Sequence, residues 1–219
     1  MYCLRNINTR KATIAVGERE ELLHGQRYIE EILDGLRFRI SANSFFQTNP
    51  RQAENLFRLA IEAAELKGSD EVLDLYCGTG TISLFAARQA RRVTGIEIVE
   101  EAVAGAEQNA ELNGIDNVRF LAGEVRTFFR KRAAEASGAD VVITDPPRSG
   151  LHPDIVHALR LLQPPRIVYV SCNPGTLARD LEMLCRDQLY EIRSVQPVDM
   201  FPHTYHIETV VRLDRVRVG

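Results

Sequence analysis

The stretch VLDLYCGTG, residues 72–80, sets a mostly apolar run directly before two glycines separated by one residue. A short apolar run bounded by a turn signal reads as a buried strand. Gly78 and Gly80 then let the backbone turn sharply and approach a ligand closely. Outward from this turn, strands and helices alternate. TISLFAARQA (81–90) reads as a helix, RVTGIEI (92–98) as a strand, and EEAVAGAEQNAELNG (100–114) as a helix closed by Gly114. NVRFLAG (117–123), ADVVITD (139–145) and RIVYVSC (166–172) read as further strands. TFFRKRAAEA (127–136), PDIVHALRLL (153–162) and PGTLARDLEMLCRD (174–187) read as helices, the last two opening with proline. The tail, residues 190–213, reads as two strands around a proline-containing turn. The pattern predicts an α/β fold with a mostly parallel, doubly wound sheet covered on both faces.

Residues 1–40 differ. KATIAVG (11–17), RYIEEIL (27–33) and LRFRIS (36–41) are short alternating segments broken by glycine, which predicts small β pieces. ISANSFFQTNP (40–50) is a turn-rich loop, and Pro50 starts a helix running to about Leu66. The division expected is a β-rich segment over 1–45 and the α/β domain over 46–219.

Composition bounds the function. The chain has 219 residues, 45% apolar and 26% charged, the balance of an ordinary globular domain. No apolar run is long enough to cross a bilayer, and MYCLRNINTRKATIAVGE lacks the apolar centre of a secretory signal. The net charge of −3 is not that of a protein held to nucleic acid by charge alone. The basic stretches Arg88/Arg91/Arg92 and Arg130-Lys131-Arg132 are RNA contacts or solvated helix faces, the latter being favoured. Cys3, Cys77, Cys172 and Cys185 form no CxxC pair and no disulfide framework. A reducing cytoplasm is expected, with one thiol free for chemistry.

In doubly wound sheets, ligands bind beyond the carboxyl ends of the strands. The first such end is the turn after Asp74. Glu97 ends the next strand, 17 positions after Gly80, where a carboxylate can accept hydrogen bonds from both ribose hydroxyls. A dinucleotide fingerprint would have a third glycine where Ser83 stands. With Asp74 before the turn and Asp145-Pro146-Pro147-Arg148 after a later strand, S-adenosylmethionine is favoured over NAD. The two prolines stiffen a loop that presents Asp145 to a pocket.

Ser171-Cys172-Asn173-Pro174 places a thiol at a strand end just before a helix N-terminus, where the dipole favours the thiolate. Arg179 is expected to add positive potential. Cys185, on the stripe Leu181, Leu184, Cys185, reads as core, and Cys77 as packing. Glu208 opens the final strand and is a base if it faces Cys172. His203 and His206 read as hydrogen-bonding residues rather than metal ligands.

Together FRISANSFFQTNP, VLDLYCGTG, GIEI, ITDPPRSG, VSCNPGTLARD and DMFPHTYHIE resemble the RNA uracil-C5 methyltransferases, which form 5-methyluridine in tRNA and 23S rRNA. The motifs keep the family's order and cover nearly the whole chain from about residue 6. NINTRKATIAVGE (6–18) resembles the 23S rRNA branch. The resemblance implies a Rossmann-like class I methyltransferase using S-adenosylmethionine. It implies Cys172 as nucleophile and Glu208 as the base that removes the C5 proton. Gln47, Tyr76, Gly78, Gly80, Thr81, Glu97 and Asp145 are implied to line the donor site, with Asp145 nearest the uracil. Thr81 departs from the asparagine often found there. Phe45, Arg148 and His203 are expected to meet RNA, with Phe46 and Phe201 as further stacking candidates and Phe46 favoured as core.

RNA cytosine-C5 methyltransferases use a second cysteine near the Asp-Pro-Pro position. TDPPRSG (144–150) has none, which favours uracil. Relatives usually carry an RNA-binding β-barrel, and many an iron–sulfur cluster on four cysteines. Neither is expected here, because Cys3 alone cannot hold a cluster. A monomer with weakened RNA affinity is expected. The alternatives are a non-catalytic module that binds S-adenosylmethionine and RNA, and a nicotinamide-dependent oxidoreductase. The Cys172/Glu208 pair argues against the first, and the absent third glycine against the second.

Overall fold

The computed structural model describes residues 3–8 and 19–216. KATIAVG and most of residues 6–18 lie outside the described residues. The chain opens with β1 (Cys3–Ile7) antiparallel to β2 (Arg19–His24), followed by the hairpin β3 (Tyr28–Leu33) and β4 (Leu36–Ser41). The hairpin turns on Asp34 and Gly35, with φ of +46° and +79°. This pair of left-handed residues fits the twist of a tight hairpin. β2, Arg-Glu-Glu-Leu-Leu-His, was not anticipated, because its charges hide any alternation.

The α/β part runs α1 (Pro50–Ala64), β5 (Glu71–Leu75), α2 (Thr81–Ala87), β6 (Arg92–Glu97), α3 (Glu100–Leu112), β7 (Val118–Ala122), α4 (Val125–Ala136), β8 (Val141–Thr144), α5 (Pro153–Leu162), β9 (Arg166–Ser171), α6 (Pro174–Cys185), β10 (Tyr190–Val198) and β11 (Glu208–Arg215). The seven strands β5–β11 form one sheet in the order β10-β11-β9-β8-β5-β6-β7. Neighbours from β7 to β9 are parallel, while β11 is antiparallel to both β9 and β10. The expected doubly wound sheet is present, and its order reverses between β5 and β8. That switch point is where the fold opens a crevice for a ligand.

Alternate strand residues enter two separate cores. Val141, Ile143, Val168, Val170 and Val210 pack with Leu56, Ala60 and Ile61 of α1 and with Leu84 of α2 on one face. Val142, Ile167, Tyr169, Val211 and Leu213 pack with Phe128, Ile155, Leu159 and Leu184 on the other. Both faces are buried, so the strands are continuously apolar.

Helices α1, α2 and α6 stop short of their expected ends, α6 at Cys185 rather than Asp187. α1 closes at Ala64 because Glu65 takes a left-handed conformation. α2 closes at Ala87, where Ala86 O accepts from both Gln89 and Ala90. At the end of the sheet away from the crevice, Asp214 accepts from Arg166 Nε (2.9 Å) and Arg212 Nη2 (2.8 Å), and Arg212 also pairs with Glu65. These contacts fasten α1 to the strands that carry the reactive end.

Gly95 in β6 is fixed by space. A Cβ there would lie 2.6 Å from Phe120 Cδ1 and 2.8 Å from Cys77 Sγ. Gly95→Ala should therefore cost about 1–3 kcal/mol by overpacking, and adding Phe120→Leu should recover part of the loss. Thermal unfolding of the three proteins checks this. An unchanged midpoint in Gly95→Ala would show that the ring moves aside freely.

Candidate active site

The donor end is built by the turn after β5. Tyr76, Gly78 and Gly80 all have positive φ, +65°, +53° and +82°. Gly80 is doubly constrained, because a Cβ would sit 2.8 Å from Phe120 Cζ and 3.0 Å from Ala106 Cβ. Thr81 is buried as the first residue of α2. At the end of β6, Glu97 accepts from Gly78 N (3.1 Å) and Val99 N (2.9 Å), so its carboxylate is held across the mouth of the turn.

Asp74 lies fully buried beneath this turn. Ser83 Oγ donates to its Oδ2 at 2.6 Å, while its Oδ1 is buried without a hydrogen-bond partner. Ser83 thus stands at the third-glycine position because its hydroxyl is needed by Asp74. Burial pushes the Asp74 carboxyl up to about 7, with Glu97 adding to the rise. An orphaned acceptor in a buried pocket is a costly arrangement, and a donor or cation from a ligand would relieve it.

The reactive end lies on β8, β9 and β11. Cys172 follows β9 and is half-buried. In the β9–β11 ladder, Ser171 pairs with Thr209. Continued one step beyond the ladder, the same antiparallel register sets Cys172 opposite Glu208, whose carboxylate acts on the thiol. A strand that ended at the crevice is thereby matched to a strand that begins there. Glu208 is 7% exposed, and burial pushes its carboxyl up to about 7 against the pull of Arg148. Asp145, just after β8, is pushed up to about 8 by lost contact with water, then by Glu208 and Asp74.

The Cys172 thiol is raised, not lowered. Burial contributes most, then the carboxylates of Glu208 and Asp145, with Arg148 and a backbone hydrogen bond in opposition. The expected preference for thiolate at the start of α6 is outweighed by burial first and by these carboxylates second. Arg179 is also not its cation. Its Nε and Nη2 are held by Asp180 Oδ1 (2.8 and 2.7 Å), and its Nη2 donates to Ser149 O (3.0 Å) and Leu151 O (3.2 Å).

Asp180 is the knot of this end. Fully buried on α6, it accepts through Oδ2 from Leu151 N and Tyr169 OH, each at 2.7 Å. The loop 145–151, strand β9 and helix α6 therefore meet on one carboxylate. Gly150 passes so close, at φ +74°, that a Cβ would lie 2.5 Å from Asp180 Oδ2. Asn173 caps α6 by accepting from Gly175 N (3.0 Å), and its Nδ2 donates to Arg148 O (3.0 Å), joined there by Thr176 Oγ1 (3.2 Å).

The sequence model of the tRNA (uracil-5-)-methyltransferase family matches residues 4–216. The chain belongs to this family. It is 50% identical over 218 residues to a protein of Chlorobaculum tepidum named an uncharacterized RNA methyltransferase, covering 98% of this chain and 45% of that protein. A Porphyromonas gingivalis protein of the same name is 53% identical over 211 residues, covering 95% and 45%. Among solved structures, the tRNA (uracil-54, C5)-methyltransferase of Pyrococcus abyssi in complex with S-adenosyl-L-homocysteine superimposes with a TM-score of 0.77 at 40% identity, covering 95% of this chain and 49% of that one. An S-adenosylmethionine-dependent methyltransferase of Agrobacterium tumefaciens shares the fold at a TM-score of 0.68 and 18% identity, covering 90% and 73%. The chain spans about half the length of the family relatives it matches.

The other family positions distribute as follows. Gln47 is half-buried on the loop between β4 and α1, which Asn49 Nδ2 ties to Met200 O at 3.1 Å. Phe45 on that loop is 79% exposed. Phe46 stacks on Phe38 at 5.8 Å and, with Phe201, packs against the core. His203 is exposed at φ +73°. His206 Nδ1 accepts from Arg148 Nη2 at 3.0 Å. Arg88 is tied to Asp34 at 2.6 Å. No helix among the described residues is long and apolar enough to cross a membrane. Sequence reasoning passed over Asp180, although it lies on the apolar stripe with Leu177 and Leu184 at helical spacing, a position where a carboxylate needs partners.

Two outcomes follow. Asp180→Ala should destabilise the protein by about 2–3 kcal/mol, and Tyr169→Phe by about 1 kcal/mol. Urea unfolding measures both, and equal losses would mean the loop is held elsewhere. The second concerns pH. Asp74, Asp145 and Glu208 have ordinary values of 3.8, 3.8 and 4.5 and are raised to about 7, 8 and 7. Carboxyls raised by folding stabilise below their unfolded values, and the contribution is lost as pH rises through the folded ones. The ligand-free protein should therefore lose stability between pH 5 and pH 8.5, and Asp74→Asn should flatten the slope. Melting curves across that range test it; a slope unaltered by Asp74→Asn would acquit Asp74.

Proposed function

We propose that the chain transfers a methyl group from S-adenosylmethionine to C5 of a uridine in RNA, with Cys172 as nucleophile and Glu208 as base. The observation that carries this reading is the β9–β11 register, which sets a thiol and a buried carboxylate side by side at the crevice. When bound, S-adenosylmethionine supplies an electrophilic methyl group on a sulfonium sulfur. Gln47, Tyr76, Gly78, Gly80, Thr81, Glu97 and Asp145 would hold it. The unpartnered Asp74 Oδ1 and the Glu97 carboxylate fit a ligand carrying both a cation and ribose hydroxyls.

Uracil C5 is a poor nucleophile, and the residues answer that difficulty. Cys172 gives its thiol proton to solvent as its sulfur bonds to C6, and the displaced ring electrons leave an enolate with a nucleophilic C5. After C5 is methylated, Glu208 takes its remaining proton, the ring electrons return, and the C6–S bond breaks. A base near 7 suits that step, being free to accept a proton and to release it again. Asp145 lies beside the uracil, and Arg148, His203 and Phe45 meet the RNA. The target base must be unstacked, so an accessible or flipped uridine is required.

The similarity of residues 6–18 to the 23S rRNA branch makes 23S rRNA the first RNA to test. The Pyrococcus abyssi neighbour, whose name specifies tRNA, makes tRNA the second. Residues 1–45 are read as a β-rich segment that contributes to RNA binding, and 46–219 as the methyltransferase domain acting as a cytoplasmic monomer.

The test uses an RNA hairpin carrying 5-fluorouridine together with S-adenosylmethionine. Fluorine cannot leave as a proton, so a denaturation-resistant protein–RNA band should accumulate and be absent in Cys172→Ala. With ordinary uridine, Glu208→Gln should accumulate the same band, while turnover of the unaltered protein rises as pH passes about 7. Methyl groups on cytosine or adenine would sink the reading. So would donor binding with no adduct on any uridine-containing RNA.

A further inference from the structure

Tyr205 is 88% exposed, more than any other large apolar side chain among the described residues. A tyrosine left in water by a mobile tail would carry no meaning, but this one is held. Its ring contacts that of His206 with centroids 4.2 Å apart. His206 is itself fixed by Arg148 Nη2 at 3.0 Å, from the loop after Asp145. The backbone beneath is closed by Thr204, whose N and Oγ1 donate to Phe201 O at 3.1 and 2.7 Å, while His206 N donates to Thr204 Oγ1 at 3.2 Å. Three residues later comes Glu208. A braced aromatic ring therefore stands out of the protein at the rim of the site, beside an exposed guanidinium.

The geometry points to Tyr205 as a stacking platform for an unpaired nucleobase adjacent to the target uridine, with Arg148 and His206 as its brace. This assignment rests on the RNA reading above and adds a subsite to it. The chemistry matches single-stranded RNA. Each base has a flat π face that stacks on an aromatic ring regardless of sequence, and an arginine nearby supplies positive potential for the backbone. The brace matters because a ring held by its neighbours pays little entropy on stacking. It also links recognition to chemistry, since Arg148 is the cation acting on both Cys172 and Glu208.

The experiment compares the unaltered chain, Tyr205→Ala and Tyr205→Phe on hairpins in which each loop nucleotide flanking the target is replaced in turn by an abasic residue. Methyl transfer to uridine and binding of S-adenosylmethionine are both measured. Tyr205→Ala should lower kcat/KM for RNA about tenfold, the loss of one stacked base, through KM, with donor affinity unchanged. Tyr205→Phe should match the unaltered chain. One abasic position should cost the unaltered chain a similar factor and cost Tyr205→Ala nothing more. Full activity in Tyr205→Ala, or losses that multiply at every abasic position, would overturn the platform while leaving uridine methylation standing. An unaltered chain that methylates no uridine in any hairpin would overturn both together.

Discussion

One buried carboxylate, Asp180, decides whether the reactive end exists. It receives a backbone amide from the loop after β8, a phenol from β9, and the guanidinium of the residue beside it. These are the elements that carry Asp145, Cys172 and the start of α6. A buried carboxylate is tolerated only when its acceptors are filled, so the three elements have no freedom to drift apart. Gly150 follows as a consequence, because the loop must pass within a methyl group's width of Asp180. The precision the chemistry needs is thus supplied by a group that never touches a reactant.

The second constraint is topological. A wholly parallel sheet would place every strand end at the crevice and every strand start at the far side. β11 alone among β9's neighbours runs against it, so its first residue arrives where β9's last residue leaves. Glu208 and Cys172, 36 positions apart in the chain, become neighbours through that reversal. The far end of the same pair is fastened by Asp214 with Arg166 and Arg212. The register that joins Cys172 to Glu208 is therefore pinned from the other side of the sheet.

Much of this was legible in the sequence, for physical reasons. Strands buried on both faces are continuously apolar, so β5, β8 and β9 stood out, and with them the crevice at their carboxyl ends. What was not legible is long-range electrostatics. The dipole of α6 is local and can be read from Asn173-Pro174, but the burial that outweighs it, and the carboxylates that add to it from β8 and β11, come from the tertiary fold. Arg179 is expected from helical spacing to add positive potential, but that spacing gives no sign that Asp180 engages it. β2 was hidden by its charges. Asp180 could have been found, since a carboxylate on an apolar stripe demands an explanation; the demand was visible and its answer was not.

Three carboxyls around the crevice, Asp74, Asp145 and Glu208, are pushed toward or above neutrality while the thiol is pushed up with them. Without a ligand, such a site resists charge on any of its members. The proposed chemistry needs charge on two of them in succession, first the sulfur and then Glu208. A cationic donor lowers the cost of both, because positive charge among the carboxylates favours their ionised forms and removes their opposition to the thiolate. Arg148 acts in the same sense but from an exposed position, where water screens it. In the proposed reading, the donor cation among the buried carboxylates therefore supplies more of the relief than Arg148 does.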